Sequence, residues 1–425
     1  MLISIIPTVA VYILYYRLVV AKLGVASIDN IFIITNFIMM YGTLLILDPH
    51  SYIDRDYSSI LSYTLVIFMV SSFLTFTILY GFRGKINQTK IIDTRLPKFI
   101  YYLWMISVII TFLYYFTIGY NVFTLGISSI LSGTQEDIAT LRLDSYSGSR
   151  YLFPGYVNQF KNIFLPATTV LIIGQMLLNR TRNRKIFIPI MITILLIGIL
   201  GTGQRGAFIS FALTTIVYLI YRNRQNLIKI SARALVLALP ILLISTLILN
   251  RKGTQSNIED NPLSALFALL GEFSDRVFYD NQFSAVAGFR YVSSLTVRNG
   301  SEWLLGLTGL LPGSGGSDLS NQIFATIYGT TRGTAPVGLW GSTYYNFGIA
   351  GTVILPITLG ISYQLIYFLL MKKGYINSIQ CFAAAGIFVT FGLWVAEGPS
   401  ILFNTGLVAY IFLYIVGARL NDRYS

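Results

Sequence analysis

The chain has 425 residues, 55% of them hydrophobic and only 11% charged, with a mean hydropathy of +0.68. Soluble globular proteins carry about 25% charged residues, so this composition excludes a soluble enzyme, a disordered protein and a disulfide-rich secreted module. Thirty Lys and Arg against seventeen Asp and Glu give a net charge of +13, but many basic residues sit in short clusters between apolar blocks, as topology signals do, which argues against a nucleic-acid surface.

A membrane span needs roughly 20 apolar residues. Blocks of that kind predict helices near 1–20, 27–47, 59–82, 99–119, 160–179, 186–203, 206–221, 233–250, 347–371, 377–396 and 400–418. The expected fold is all-α, a polytopic membrane bundle of about 11 helices. Residues 1–250 would hold eight of them, 251–346 a large extracytoplasmic loop with amphipathic helices, and 347–425 the rest. The first block starts at Met1 with neither a basic n-region nor a small-residue cleavage site, so it reads as a retained span. The single cysteine, Cys381, lies in an apolar block and allows neither an internal disulfide nor a cysteine metal site.

Basic loops set the orientation. Arg83 to Lys98, Arg180 to Lys185, Arg222 to Arg233, Lys372 with Lys373, and Arg419 with Arg423 all fall on one side of this span list, which is therefore the cytoplasm. The opposite face receives the connections 48–58, 120–159, 204–205, 251–346 and 397–399. The largest is too long for a bare loop. It carries helical apolar spacing after Asn261-Pro262, an amphipathic stretch from Phe278 to Val297, and a Gly/Ser turn region from Leu310 to Asp318.

An enzyme working on the outer face has no access to ATP or nucleotide sugars and needs a pre-energised substrate such as a lipid-linked pyrophosphate. Arg suits that leaving group because its planar fork donates two hydrogen bonds to phosphate oxygens. The external segments hold Arg205, Arg251, Arg276, Arg290, Arg298 and Arg332. Arg205 is the sharpest, in Gly201-Thr202-Gly203-Gln204-Arg205-Gly206, where glycines let a ligand approach the backbone; the bland alternative is a snorkelling helix-end Arg. Arg290 and Arg298 are eight residues apart and would share a face if one helix carried both. Arg276 stands four residues after Glu272 and four before Asp280, a pattern that solvated ion pairs also produce.

Glycosyl transfer also needs a base for the acceptor hydroxyl. Candidates are Glu272, Asp275, Asp280, Glu302, Glu397 and the sole histidine, His50. Glu397 closes a span in Trp394-Val395-Ala396-Glu397-Gly398-Pro399, where partial burial would raise its pKa. Each is alternatively a helix terminus or a turn residue. Asp54-Arg55-Asp56 is a D-x-D string, too short to carry a metal site and on the wrong face for nucleotide sugars. No metal or nucleotide-binding motif appears, so no cofactor is expected. Tyr291, Trp303, Trp340, Tyr344 and Tyr345 are external enough to stack on sugars, with core packing as the competing role.

The segment Gly201-Thr202-Gly203-Gln204-Arg205-Gly206-Ala207-Phe208 resembles the Thr-Gly-Ser-Arg-Gly type motif of the O-antigen and exopolysaccharide polymerases of the Wzy group. So does the layout of many spans with one large external loop in the second half. Gly338 to Gly351 is similar to that family's re-entry segment, and Arg298 followed by Gly309 fits an R-x10-G pattern. The resemblance implies a metal-independent transferase with a GT-C-like membrane fold in the bacterial cytoplasmic membrane. Its donor and acceptor would be undecaprenyl-pyrophosphate-linked glycans, with membrane lipid as surroundings and a chain-length regulator protein as a further candidate partner. Arg205 would bind pyrophosphate, assisted by Arg276, Arg290 and Arg298.

Two rivals remain at this stage. A lipid-linked oligosaccharide flippase would place ionisable residues mid-span around a central cavity, whereas here they concentrate at boundaries and in one loop. An O-antigen ligase-like transferase shares the layout but uses a loop histidine, and the large loop has none.

Overall fold

The computed structural model describes residues 2–81, 89–92, 95–132, 155–203, 205–223, 274–311, 314–331, 333–372 and 374–421, with a few single positions between them. In chain order the helices are α1 (Leu2–Tyr15), α2 (Ile28–Leu44), α3 (Tyr52–Tyr80), α4 (Lys98–Ile118), α5 (Val122–Ser132), α6 (Leu165–Leu178), α7 (Arg184–Leu200) and α8 (Arg205–Arg222). Then follow α9 (Asn281–Ser293), α10 (Ser301–Thr308), α11 (Leu319–Tyr328), α12 (Leu339–Met371), α13 (Ser378–Gly392), α14 (Ser400–Asn404) and α15 (Leu407–Asn421). Helix α1 runs on through a π turn at Tyr16–Val20, and α6 is entered through another at Phe160–Phe164. Two three-residue strands, Lys90–Ile92 and Tyr375–Asn377, pair as a small sheet, a minor departure from the all-α expectation.

Five described helices are long and apolar enough to cross a membrane: Ile5–Leu23, Tyr52–Tyr80, Lys98–Ile118, Tyr156–Leu178 and Leu339–Met371. Shorter apolar helices stand at Ile28–Leu44, Gly206–Arg222, Ser378–Gly392 and Leu407–Leu420. This is a multi-pass helical membrane protein. The expected span 233–250 lies outside the described residues.

Two expected boundaries shift. Helix α3 starts at Tyr52, seven residues before the expected 59, whereas in α12 a non-helical Gly348 (φ 63°, ψ −157°) separates a short helix opening at Leu339 from the long span, which begins close to the expected 347. A side chain is strained at that positive φ, so glycine permits the joint. The last block splits at Gly406, whose φ is +101°, into α14 and α15.

The chain forms two compact units. The first comprises Met1–Lys90, Ser274–Tyr375 and Phe388–Phe403. Here α3 packs along α12 through small residues: a Cβ on Gly360 would strike the Phe68 carbonyl and the Ser72 amide, and Ser71 Oγ donates to the Pro356 carbonyl (3.3 Å). Such close backbone approach is how membrane helices gain packing energy where apolar burial contributes little. Phe32, Phe68, Trp340 and Tyr363 pack edge-on or tilted at the centre. Within the same unit the buried Asp29 accepts hydrogen bonds from Ser72 Oγ (3.0 Å) and Gln364 Nε2 (2.9 Å).

The second unit comprises Ile91–Phe273, Ile376–Ile387 and Asn404–Ser425. Leu165, Leu195, Ile199, Leu200 and Phe208 form its core, with Trp104 and Phe123 packed against them.

Candidate functional site

In the first unit polar groups of the segments between the long helices are tied into three sets. Ser51 caps α3, its Oγ accepting from the Asp54 amide (3.4 Å). The buried Asp54 carboxylate receives the Arg290 guanidinium in fork geometry, Nε to Oδ1 at 2.8 Å and Nη2 to Oδ2 at 2.5 Å, plus the Asp48 amide at 2.8 Å. The Asp54 bond and charge hold the Arg290 proton more firmly than usual. The D-x-D aspartate is thus an arginine partner. His50, exposed in the adjoining turn, contributes its amide to Asp48 Oδ1 (2.9 Å).

Arg298 does not share a helix with Arg290: α9 ends at Ser293, and Arg298 stands in the following loop. Its Nε donates to the Tyr345 hydroxyl (2.8 Å) and its amide to the Tyr345 carbonyl (2.9 Å), with the guanidinium 5.7 Å from the Tyr345 ring. This exposed arginine leaves its two Nη groups without a hydrogen bond among the described residues. Both Nη groups are therefore open to solvent.

The third set gathers two carboxylates. Glu302 accepts from Ser317 Oγ (2.6 Å) and Asn346 Nδ2 (2.8 Å). Glu397, in the turn after α13, accepts from Ser320 Oγ, and its carbonyl takes the Trp394 indole N–H (2.9 Å). Burial pushes the Glu397 carboxyl above the usual range; the Ser320 bond opposes that rise and the nearby Glu302 charge adds to it. Glu302 is thus the carboxylate brought near Glu397.

Other expected residues fall as follows. Arg276 opens a π turn that ends at the exposed Asp280. Asp275 precedes that turn and is exposed. Glu272, Arg251 and Arg332 lie outside the described residues. Trp340, expected as a possible sugar platform, is buried and donates to Asn36 Oδ1 (2.9 Å), a core role.

In the second unit the Gly201 motif is built into a tight corner. Gly201 cannot carry a side chain, since a Cβ would meet Asn121 and the Tyr115 ring. Its carbonyl takes the Val122 amide (2.7 Å), and Tyr115 Oη donates to the Gly198 carbonyl (2.7 Å). Asn121 caps α5, accepting from the Phe123 and Thr124 amides (3.1 Å each). Gly203 then turns the chain at φ +70°, and Arg205 is the first residue of α8.

Sequence reading missed one residue here. Lys161, at the start of the span entered at Tyr156, has no solvent exposure at all. Its Nζ donates to the buried Thr202 hydroxyl (3.2 Å) and lies 5.4 Å and 6.0 Å from the Tyr114 and Tyr115 ring centres. No carboxylate pairs with it among the described residues. The available signal was a lone lysine at the second position of the apolar block 160–179, which reads equally as a span end.

A family model described as O-antigen polysaccharide polymerase Wzy matches residues 1–276. No curated protein and no solved structure matches the chain.

Proposed function

The chain belongs to the O-antigen polysaccharide polymerase Wzy family, and from that premise we propose that it joins undecaprenyl-pyrophosphate-linked repeat units on the outer face of the cytoplasmic membrane. The growing glycan leaves its pyrophosphate carrier and is transferred to a hydroxyl of the incoming unit. Arginines neutralise the departing diphosphate, and no metal is needed for that step because guanidinium groups supply the positive charge. Arg205, Arg276 and Arg298 are the proposed diphosphate ligands, Arg290 being committed to Asp54, and Glu397 is the preferred base among Glu397, Glu272, Asp280 and His50.

The observation that carries this reading is the motif around Arg205. Its glycines bring a helix N-terminus and an arginine to one point, and both features favour an anion. Arg298, with its unoccupied Nη groups, is the second support. Glu397 is preferred as base because burial raises its proton affinity toward the working pH.

The test is Arg205→Lys, which keeps the charge and loses the fork. Chain extension should fall sharply, read as short polymer on gels, while the amount of protein in the membrane is unchanged. Polymer of normal length would count against the assignment.

A further inference from the structure

A polar cavity of about 690 Å³ lies within the second unit, at the end of α8 remote from the Arg205 corner. Helix α8 has eighteen residues, so its two ends stand about 25 Å apart. Arg222 closes that helix, and Arg95, in the loop before α4, borders the same cavity. Gln175 and Asn179 at the end of α6, Thr181, and Ser378 at the start of α13 complete its polar rim.

The local packing holds the two arginines in place. A Cβ on Gly174 would come within 3.4 Å of Arg222 Nη1, so a glycine there leaves room for the guanidinium. Nη1 donates to the Tyr218 hydroxyl one turn back (3.0 Å), with the guanidinium carbon 5.9 Å from that ring. Tyr218 is itself buried, its ring 5.3 Å from that of Phe382. Gln175 Oε1 accepts from the Leu96 amide (3.0 Å), which ties the turn carrying Arg95 to α6.

Membrane sidedness accounts for basic residues in each connection but not for their convergence. Arg95, Thr181 and Arg222 come from three separate connections and border one cavity. Arg95 also precedes the positive end of α4, where the helix dipole disfavours a cation. No Asp or Glu lines the cavity among the described residues. Two guanidinium groups that share a cavity repel each other, and a phosphate, which accepts planar forks, relieves that repulsion. The amide and hydroxyl side chains of the rim add neutral donors. Leu171 and the exposed Leu178 form an apolar wall beside them.

We propose that this cavity binds a phosphate anion, either the head group of an anionic phospholipid or a soluble phosphate, at the end of α8 opposite the Arg205 corner. The site is independent of the polymerase reading, since Arg205 and the base take no part in it. The rival use of the two guanidinium groups is to cap the carbonyls that end α6 and α8, a role that binds no ligand.

The purified full chain, delipidated in a neutral detergent, is titrated with phosphatidylglycerol, phosphatidylcholine and inorganic phosphate, read by native mass spectrometry and thermal shift. Phosphatidylglycerol or inorganic phosphate should bind, and phosphatidylcholine, whose choline cancels the charge, about tenfold more weakly. Arg95→Gln should weaken that binding about tenfold or more, and Arg95 is exposed, so the variant keeps its fold. Thr181→Trp, which fills the cavity, should block it. Arg182→Gln, exposed in the same connection but not lining the cavity, should leave it unchanged. Phosphatidylglycerol binding that excess phosphate does not displace identifies the lipid as the source; phosphate binding with the same variant pattern identifies the soluble anion. Failure of both to bind, equal binding of phosphatidylcholine, or an Arg182→Gln loss as large as that of Arg95→Gln overturns the proposal.

Discussion

The two units treat charge in opposite ways. In the first, Arg290 is locked to Asp54, and Glu302 and Glu397 are each held by serine or asparagine donors. In the second, Lys161 is buried with a hydroxyl and two rings and no described carboxylate. A satisfied network rigidifies a scaffold. A buried charge with no counter-ion among the described residues is unfavourable to the fold. Stability and function should therefore separate differently in the two units.

The largest expected effect compares two arginines of one unit. Arg298→Ala removes a free fork and should lower polymer formation by about 10²–10³-fold, the usual range for one lost electrostatic donor, with a near-normal melting temperature. Arg290→Ala should act mainly on stability, because it leaves the buried Asp54 without its partner. Equal effects of the two on both readouts would break the distinction between committed and available cations.

Next comes a change of opposite sign. Lys161→Met replaces a buried ammonium that has no carboxylate partner among the described residues by an apolar chain of similar length, and should stabilise the protein by about 1–4 kcal/mol. A lower melting temperature would mean that Lys161 is a structural partner of Thr202. Gly201→Val should destabilise by about 1–3 kcal/mol, since a side chain there collides with Asn121 and Tyr115; thermal unfolding in detergent measures it.

The smallest effect is a pH slope. Glu397 is neutral to a higher pH in the folded protein than in the unfolded chain, because burial disfavours its charge. Its contribution is fully present at low pH and declines as pH rises through the raised value. Activity should run the other way, appearing as the base ionises. Glu397→Gln should flatten the stability slope.

Much of the architecture was legible because a bilayer imposes length and composition on helices: α4 and α7 begin and end close to their apolar blocks, and α3 ends close to its own. The Arg205 corner was legible too, since glycine spacing announces backbone that must turn or be approached. Contacts across long sequence distance were not. Nothing in Asp54 announces a partner 236 residues away. Nor does hydropathy separate the outer part of α12 from its span, since both are apolar and only the φ of Gly348 divides them. Lys161 was hidden for a related reason: a window average dilutes one charge among apolar neighbours.

The polar knot at Asp29 bears on how the protein is made. Helix α2 carries Asp29, Asn30 and Asn36 in seventeen residues, a costly cargo for hydrocarbon. Its carboxylate is satisfied by Ser72 and by Gln364, which leaves the ribosome more than three hundred residues later. The N-terminal hairpin therefore waits through most of translation for the donor that completes it, and the quality-control machinery of the membrane meets it unfinished until then.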